Sequence, residues 1–383
     1  MLYIFAGAAL LAAVLGDVYA TILHARARSG IISETINRTV WRVVRVVAFR
    51  LTRQQRHRLL NSVGPILLPL LLVVLLIFLV VGFALIYLPW MPAGFNVAPE
   101  AESPRLIEAL YFSGITLTTV GYGDIAPHTA AMRFVALAQS ASGFVLISLG
   151  VTYLVTVYGA LERKRLVALS FYHRADEGAD AAALIAHHFV ENRFIGFDAT
   201  LRTATRDIQS LLEAHIEHPI IHYFHPREVH KGMPRLLFLM LETCAAVKAC
   251  LSRDEYRDMY RHPELLSLDA NARYVLATLT AALDLTEDAA QKGAPPLREE
   301  SRGEESRRWR HRWRQTLDRL QNAGISVRED AGASWRDYQE QRMEWEAPLY
   351  RFALYLGYDW DEVTGDGDLA YAADEEMAEP EGK

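Results

Sequence analysis

The sequence predicts an all-α membrane protein: three membrane-spanning helices, a re-entrant helix and loop between the second and third, and an all-α cytosolic domain after them. Three observations predict it. Leu2–Leu23, Pro65–Leu88 and Ala131–Tyr158 are apolar runs of the length a helix needs to cross a bilayer, about 20 residues. Arginines cluster beside these runs in a pattern that fixes an orientation. From residue 166 the chain turns polar and rich in Ala and Leu, with apolar residues at helical spacing and little strand alternation.

At 383 residues the chain is long enough for two or three units. Its 51% hydrophobic content and net charge of −6 average an apolar first part with a polar second part, so neither decides a class. Cys244 and Cys250 both fall in the polar half and give no disulfide framework, which fits a reducing compartment. The expected organisation is a first span (1–23), a basic amphipathic segment (24–61), a central membrane unit (62–165), a helical domain (166–292), a linker (293–304), C-terminal helices (305–358) and an acidic tail (359–383).

The first span has a second reading as a cleaved leader, with Val18-Tyr19-Ala20 as a loose cleavage site, but it lacks the positive region such leaders carry. Nine arginines from Arg26 to Arg58 follow it, opposed only by Glu34, and Arg163-Lys164-Arg165 follows the third span. Between the second and third spans stand Glu100, Glu102, Glu108 and Asp124. Positive charge marks the inner side. The N-terminus and that loop are therefore expected outside, and 24–61 and the C-terminal part inside. A cleaved leader would put the arginines outside.

Residues 33–60 read as one basic helix at the inner interface. Ile36, Val40, Val43, Val47 and Leu51 form its apolar stripe, and Trp41 sits near the headgroups. The rival reading is a voltage sensor on Arg38, Arg42 and Arg45, which needs more preceding spans than the one present. Asp17, costly in an apolar span, is expected near the inner interface or paired with an Arg.

Pro104–Thr118 reads as a short helix with Ser103 as N-cap and Pro104 at its first position. It leads into Thr118-Thr119-Val120-Gly121-Tyr122-Gly123-Asp124. Several carbonyls face one axis only if the backbone alternates in hand, and Gly121 and Gly123 reach the left-handed conformations without a Cβ clash. Such carbonyls can replace the water around a cation.

A Thr-Val-Gly-Tyr-Gly run between two spans resembles the potassium-channel pore family, of the bacterial kind with two helices around one pore loop. The resemblance implies that Thr119, Val120, Gly121, Tyr122 and Gly123 bind K+ as the permeant ion, with the Val120 and Tyr122 side chains pointing away from the axis into the protein that braces the loop. It makes the preceding helix the pore helix and puts Asp124 at the outer mouth, where a carboxylate raises the local cation concentration. It also implies an outer anchor at Arg133 and a hinge at Gly143, with Gly150 competing. Phe144, Ile147, Val151 and Val155 form a stripe that either packs or closes a gate near Val151 and Val155 by squeezing out water. Some relatives carry a glutamate behind the filter where this chain has Ile115, so the support of Asp124 falls to Tyr111. One loop copy implies a homotetramer.

In the cytosolic half, helices are expected near 178–193, 199–216, 233–252, 266–285, 305–323 and 333–356. No Gly-x-Gly-x-x-Gly follows a strand, and no strand-rich regulatory pattern is present. His215, His218, His222 and His225, with His230 beyond, raise a metal site or proton sensor. Pro219 and Pro226 break their register, which favours a solvated histidine-rich loop. No nucleophile, phosphate loop or carboxylate pair points to an enzyme, and no cofactor or nucleic-acid partner is expected. Membrane lipids and an unidentified cytosolic regulator are. The readings that compete with a selective channel are a weakly selective cation channel and a membrane sensor or scaffold acting through the cytosolic domain.

Overall fold

The structure is a computed structural model that describes residues 1–24, 29–97, 104–176, 178–285 and 302–365. Arg26, Arg28, Glu100, Glu102, Ser103, most of the expected linker and the tail beyond 365 lie outside the described residues. Within them the chain is helical, with two short antiparallel hairpins. It divides into two units: Met1–Val44, Ser62–Gly159 and Ile216–Tyr223 form the first, and Arg45–Asn61, Ala160–His215 and Phe224–Lys383 the second.

The first unit is built on α1 (Leu2–Val18, prolonged by a π turn Tyr19–Leu23), most of α2 (Ile31–Ala48), α3 (Arg53–Tyr87) from Ser62 on, α4 (Arg105–Leu117) and α5 (Ala130–Arg174) up to Gly159. Three helical stretches, Leu2–Leu23, Arg53–Trp90 and Ala130–Arg174, are long and apolar enough to cross a membrane. A Cβ on Gly7 would meet the Gly82 carbonyl, and one on Gly82 would meet Leu11. Small residues here let α1 and α3 approach backbone to backbone, the contact that holds helices together where lipid removes the hydrophobic drive.

Among the described residues Asp17 bonds to amides and a hydroxyl rather than to an arginine. Its carboxylate accepts from the Ile32 amide at 2.7 Å, the Ser33 amide at 3.3 Å and the Ser33 hydroxyl. It thus caps the start of α2, where four amides lack helical partners and carry partial positive charge. Gly30 is required by that approach, since a Cβ there would strike the carboxylate.

The expected single helix 33–60 is two. It breaks at Phe49–Thr52, and its second part is the start of α3. The buried face of α2 is Ser33, Asn37 and Trp41, while Val43, Val47 and Leu51 stay exposed. Trp41 therefore lies in the interior, against Tyr223 at 5.7 Å between rings, and not among headgroups. An apolar stripe left outward is what a lipid-facing helix shows. Pro104 is the N-cap of α4 rather than its first helical residue.

The first unit also carries β1 (Phe95–Val97) paired antiparallel with β2 (Ile125–Pro127), and in the second unit α6 (Ala181–Ala186) is followed by a short hairpin of β3 (Phe189–Val190) and β4 (Arg193–Phe194). This replaces the helix expected over 178–193, because Glu191 and Asn192 adopt left-handed backbone and turn the chain. Then come α7 (Phe197–Glu217), α8 (Met233–Cys250), α9 (Arg257–Tyr260), α10 (Pro263–Ala282) and α11 (Arg302–Asn322, starting inside the expected linker). The helix expected over 333–356 is split into α12 (Ala331–Met343) and α13 (Glu346–Tyr355). Asp359, the expected start of an acidic tail, caps a further helix, α14 (Trp360–Thr364).

α8 is buried on nearly every side, which is why its sequence is apolar all round. At its edge the Arg342 guanidinium, fully buried, reaches Glu346 at 2.6 Å, the Tyr338 hydroxyl at 3.0 Å and Glu242 at 3.3 Å. Removing one carboxylate would strand a buried charge, at a cost of about 3–5 kcal/mol.

Candidate ion-conduction site

The site begins at the end of α4. Its last carbonyls need partners, and the amides of the following loop supply them. Thr118 N donates to Gly114 O at 3.1 Å, Thr119 N to Thr116 O at 3.2 Å, and Val120 N and Gly121 N both to Ile115 O at 2.9 and 3.2 Å. Amides turned back in this way leave the carbonyls pointing elsewhere. Among the described residues no hydrogen bond is donated to the carbonyls of Thr119, Val120, Gly121, Tyr122 or Gly123.

Gly121 and Gly123 have φ of +55° and +83°, the left-handed backbone expected of them. Thr119 joins them at +59°, a conformation that costs a β-branched residue about 1–3 kcal/mol. Nothing in the residue type announced this. The Val120 and Tyr122 side chains, expected to point away from the axis, are 51% and 73% exposed within one chain.

The Tyr111 hydroxyl donates to Asp124 at 2.7 Å, the support expected where Ile115 stands behind the loop. Ile115 itself is buried, and its carbonyl is the double acceptor just described. Arg133 donates to the Pro127 carbonyl at 3.1 Å. Pairing of β1 with β2 ties the segment after the filter to the end of the outer loop.

Sequence reading missed the support behind the pore helix. Gln139 is fully buried in α5, and both ends of its amide are used. Its oxygen accepts from the Tyr87 hydroxyl at 2.7 Å, and its nitrogen donates to Ser113 O and Oγ at 2.9 and 2.7 Å. Ser113 Oγ in turn donates to Val80 O at 2.7 Å. Three helices, α3, α4 and α5, are joined through one side chain. The signal was available as a glutamine inside an apolar span.

One turn further along α5 is Gly143. The helix passes through it unbroken, and a Cβ there would strike the Leu117 carbonyl at the end of α4. Gly150 makes a looser approach to Leu72. Phe144, Ile147, Val151 and Val155 form an exposed stripe on the same helix.

The histidines form neither a solvated loop nor a metal centre. His215, His222 and His225 are buried, and among the described residues no group of three or more His, Cys, Asp or Glu is arranged to hold a metal. His218 packs edge-on to Tyr153 at 5.3 Å. Burial, helped by the charge of Lys164, pushes His215 down to about 3, and burial holds His225 well below the usual imidazole range. The missed signal was the apolar run between them: Ile220, Ile221, Tyr223 and Phe224 are all buried.

Residues 70–159 match the family model described as "Ion channel". Among curated relatives, the uncharacterized membrane protein YdjJ of Bacillus subtilis is 29% identical over 224 residues, 58% of this chain and 63% of that protein. That match is longer than the channel stretch alone. Two-pore potassium channel 1 of Arabidopsis thaliana is 46% identical over 46 residues, 12% of this chain and 13% of that one. Protein LctB of Geobacillus stearothermophilus is 33% identical over 81 residues, 19% of this chain and 60% of its own length. The chain thus spans less than two thirds of each of these relatives. No solved structure matches it. Residues 70–159 are similar to ion-channel domains.

Proposed function

We propose that four copies of this chain surround one axis and form a potassium-selective channel that conducts K+ passively. One observation carries the reading. From Thr119 to Gly121 the loop amides are spent on the pore helix, while the carbonyls from Thr119 to Gly123 have no donor among the described residues. A dehydrated cation needs a ring of such carbonyls. One chain has one loop, so a closed ring of identical subunits is the natural way to complete it. The exposed Val120 and Tyr122 fit this, because neighbouring copies would supply their packing. The match of 70–159 to an ion-channel family, and likeness to proteins named as potassium channels, support the same reading.

In this channel Asp124 stands at the outer mouth and the arginines of 38–58 and 163–165 lie in the cytoplasm. Phe144, Ile147, Val151 and Val155 line the inner cavity, and the narrowing at Val151 and Val155 closes by dewetting. Movement of α5 about Gly143 works this gate, driven by the cytosolic helical domain. The test is flux into liposomes carrying the purified chain. Potassium uptake blocked by barium, with little sodium uptake, is the expected result. Equal uptake of both ions would make it a weakly selective cation channel. No flux at any pH or voltage from an intact tetramer would make it a sensor or scaffold.

A further inference from the structure

A buried chain of hydrogen bonds in the second unit is short of one proton. It runs from the Leu356 carbonyl to His225 Nδ1 at 3.0 Å, from His225 Nε2 to His57 Nδ1 at 2.7 Å, and from His57 Nε2 to Glu362 Oε1 at 2.7 Å. His57, His225 and Glu362 are 6%, 4% and 2% exposed, so water does not bridge or replace these contacts. The carbonyl only accepts, which puts a proton on His225 Nδ1 and leaves Nε2 as an acceptor. His57 Nδ1 must then donate to it. A neutral imidazole has one N–H, and both rings have now used theirs. The third contact, His57 Nε2 to Glu362, would set lone pair against lone pair unless a further proton sits between them.

We infer that His57 and Glu362 form a binding site for a single proton, and that the bound proton latches α14 to the start of α3. The rest of the cluster is built around that charge state. Arg53 and Arg56 lie 3.5 and 3.9 Å from the Glu362 carboxylate. Arg53 also pairs with Asp359 at 3.2 Å and Asp361 at 2.8 Å, and Arg56 pairs with Asp359. With the proton present, Arg53, Arg56 and His57 balance Asp359, Asp361 and Glu362. Without it the cluster carries a net negative charge and loses its central contact.

Glu362 Oε2 accepts from the Asp359 amide at 2.8 Å, so the same carboxylate closes the capping box of α14. Arg235 of α8 donates to the carbonyls of Glu362 and Val363 in this helix. On the other side, burial and the charges of His57, Lys164 and Arg56 disfavour a proton on His225, and its ring stacks on Tyr358 at 4.4 Å. A proton on His225 Nε2 would face the N–H of His57, so the latch holds one proton and not two.

The site stands apart from the channel reading, and its test does not use conduction. Hydrogen exchange of the peptide spanning α14 is followed in the full chain across a pH series, with intrinsic base catalysis divided out. Wild-type protection should fall by up to about tenfold per pH unit between the pH at which the opened peptide loses the proton and the higher pH at which the latched one does, and be level above that, as one linked proton requires. Glu362→Gln supplies an amide N–H to His57 Nε2 and needs no bound proton. His225→Phe keeps the stacking on Tyr358 and frees His57 to turn its own N–H toward Glu362. Both variants should stay flat within about threefold, against the tenfold-per-unit slope of a linked proton. If one variant leaves the peptide unprotected at every pH, the other carries the comparison. A flat wild-type profile, or a folded variant that keeps the wild-type slope, overturns the proposal.

Discussion

The pore loop and the histidine segment are the two most conspicuous stretches of this sequence, and they yielded to reading in opposite ways. The loop's partners are local: Val120 and Gly121 bond to Ile115, and Tyr111 to Asp124 is 13 residues away. The histidines' partners are remote: His225 meets His57 across 168 residues, and His57 meets Glu362 across 305. A motif whose geometry is set by its own backbone can be read from its residue types. A cluster whose geometry is set by packing shows only its composition.

The strongest way to break the comparison is at Gly121. Gly121→Asp puts a charged side chain on a left-handed position and should abolish potassium-selective flux in liposomes, while the melting temperature of the second unit stays unchanged. Retained potassium preference would show that the loop does not select. Next is Gln139→Leu, which strands the Tyr87 hydroxyl and removes both bonds to Ser113. It should destabilise the first unit by about 1–3 kcal/mol, the cost of a buried unsatisfied polar group. Denaturation in detergent measures this, and Gln139→Glu should recover part of it.

His215 gives the matching test in the other region. Its pKa falls on folding from 6.5 to about 3, so the unfolded chain binds the extra proton as pH drops. The residue's contribution is whole above pH 6.5 and is lost as pH falls toward 3. The slope is at most about 1.4 kcal/mol per pH unit. His215→Gln should remove one proton's worth of that slope in acid unfolding, and an unaltered slope would put His215 elsewhere than in the interior. Smallest is Tyr111→Phe, which deletes the bond to Asp124 at the exposed mouth. It should leave melting unchanged and speed the decline of current under sustained conduction. An unaltered time course would show that Asp124 has other support.

Much of the first unit was legible because bilayer length and the glycine positions each constrain it alone. The three spans, the short helix before the loop, the left-handed glycines and the Tyr111–Asp124 bond follow from residues near one another in sequence. What escaped depends on where a side chain lands after folding. Asp17 reads as a charge in need of an arginine, and only the fold presents it with the amides of Ile32 and Ser33. Trp41 reads as a headgroup anchor until the buried side of α2 is seen to be the one with Ser33 and Asn37. Asp359 begins an acidic run, yet it starts a helix because Glu362 closes its capping box and is buried against His57.

The unsatisfied carbonyls of Thr119 to Gly123 also have a consequence for inheritance. In the proposed four-chain assembly each subunit supplies one quarter of every ion site, so one faulty loop spoils the ring for the three sound ones. If normal and Gly121-altered chains are made in equal amounts and mix freely, only about one assembly in sixteen is wholly normal. A lesion in this loop would therefore behave as a dominant one, while a lesion that merely stops a chain from folding would leave the remaining copies free to assemble with each other.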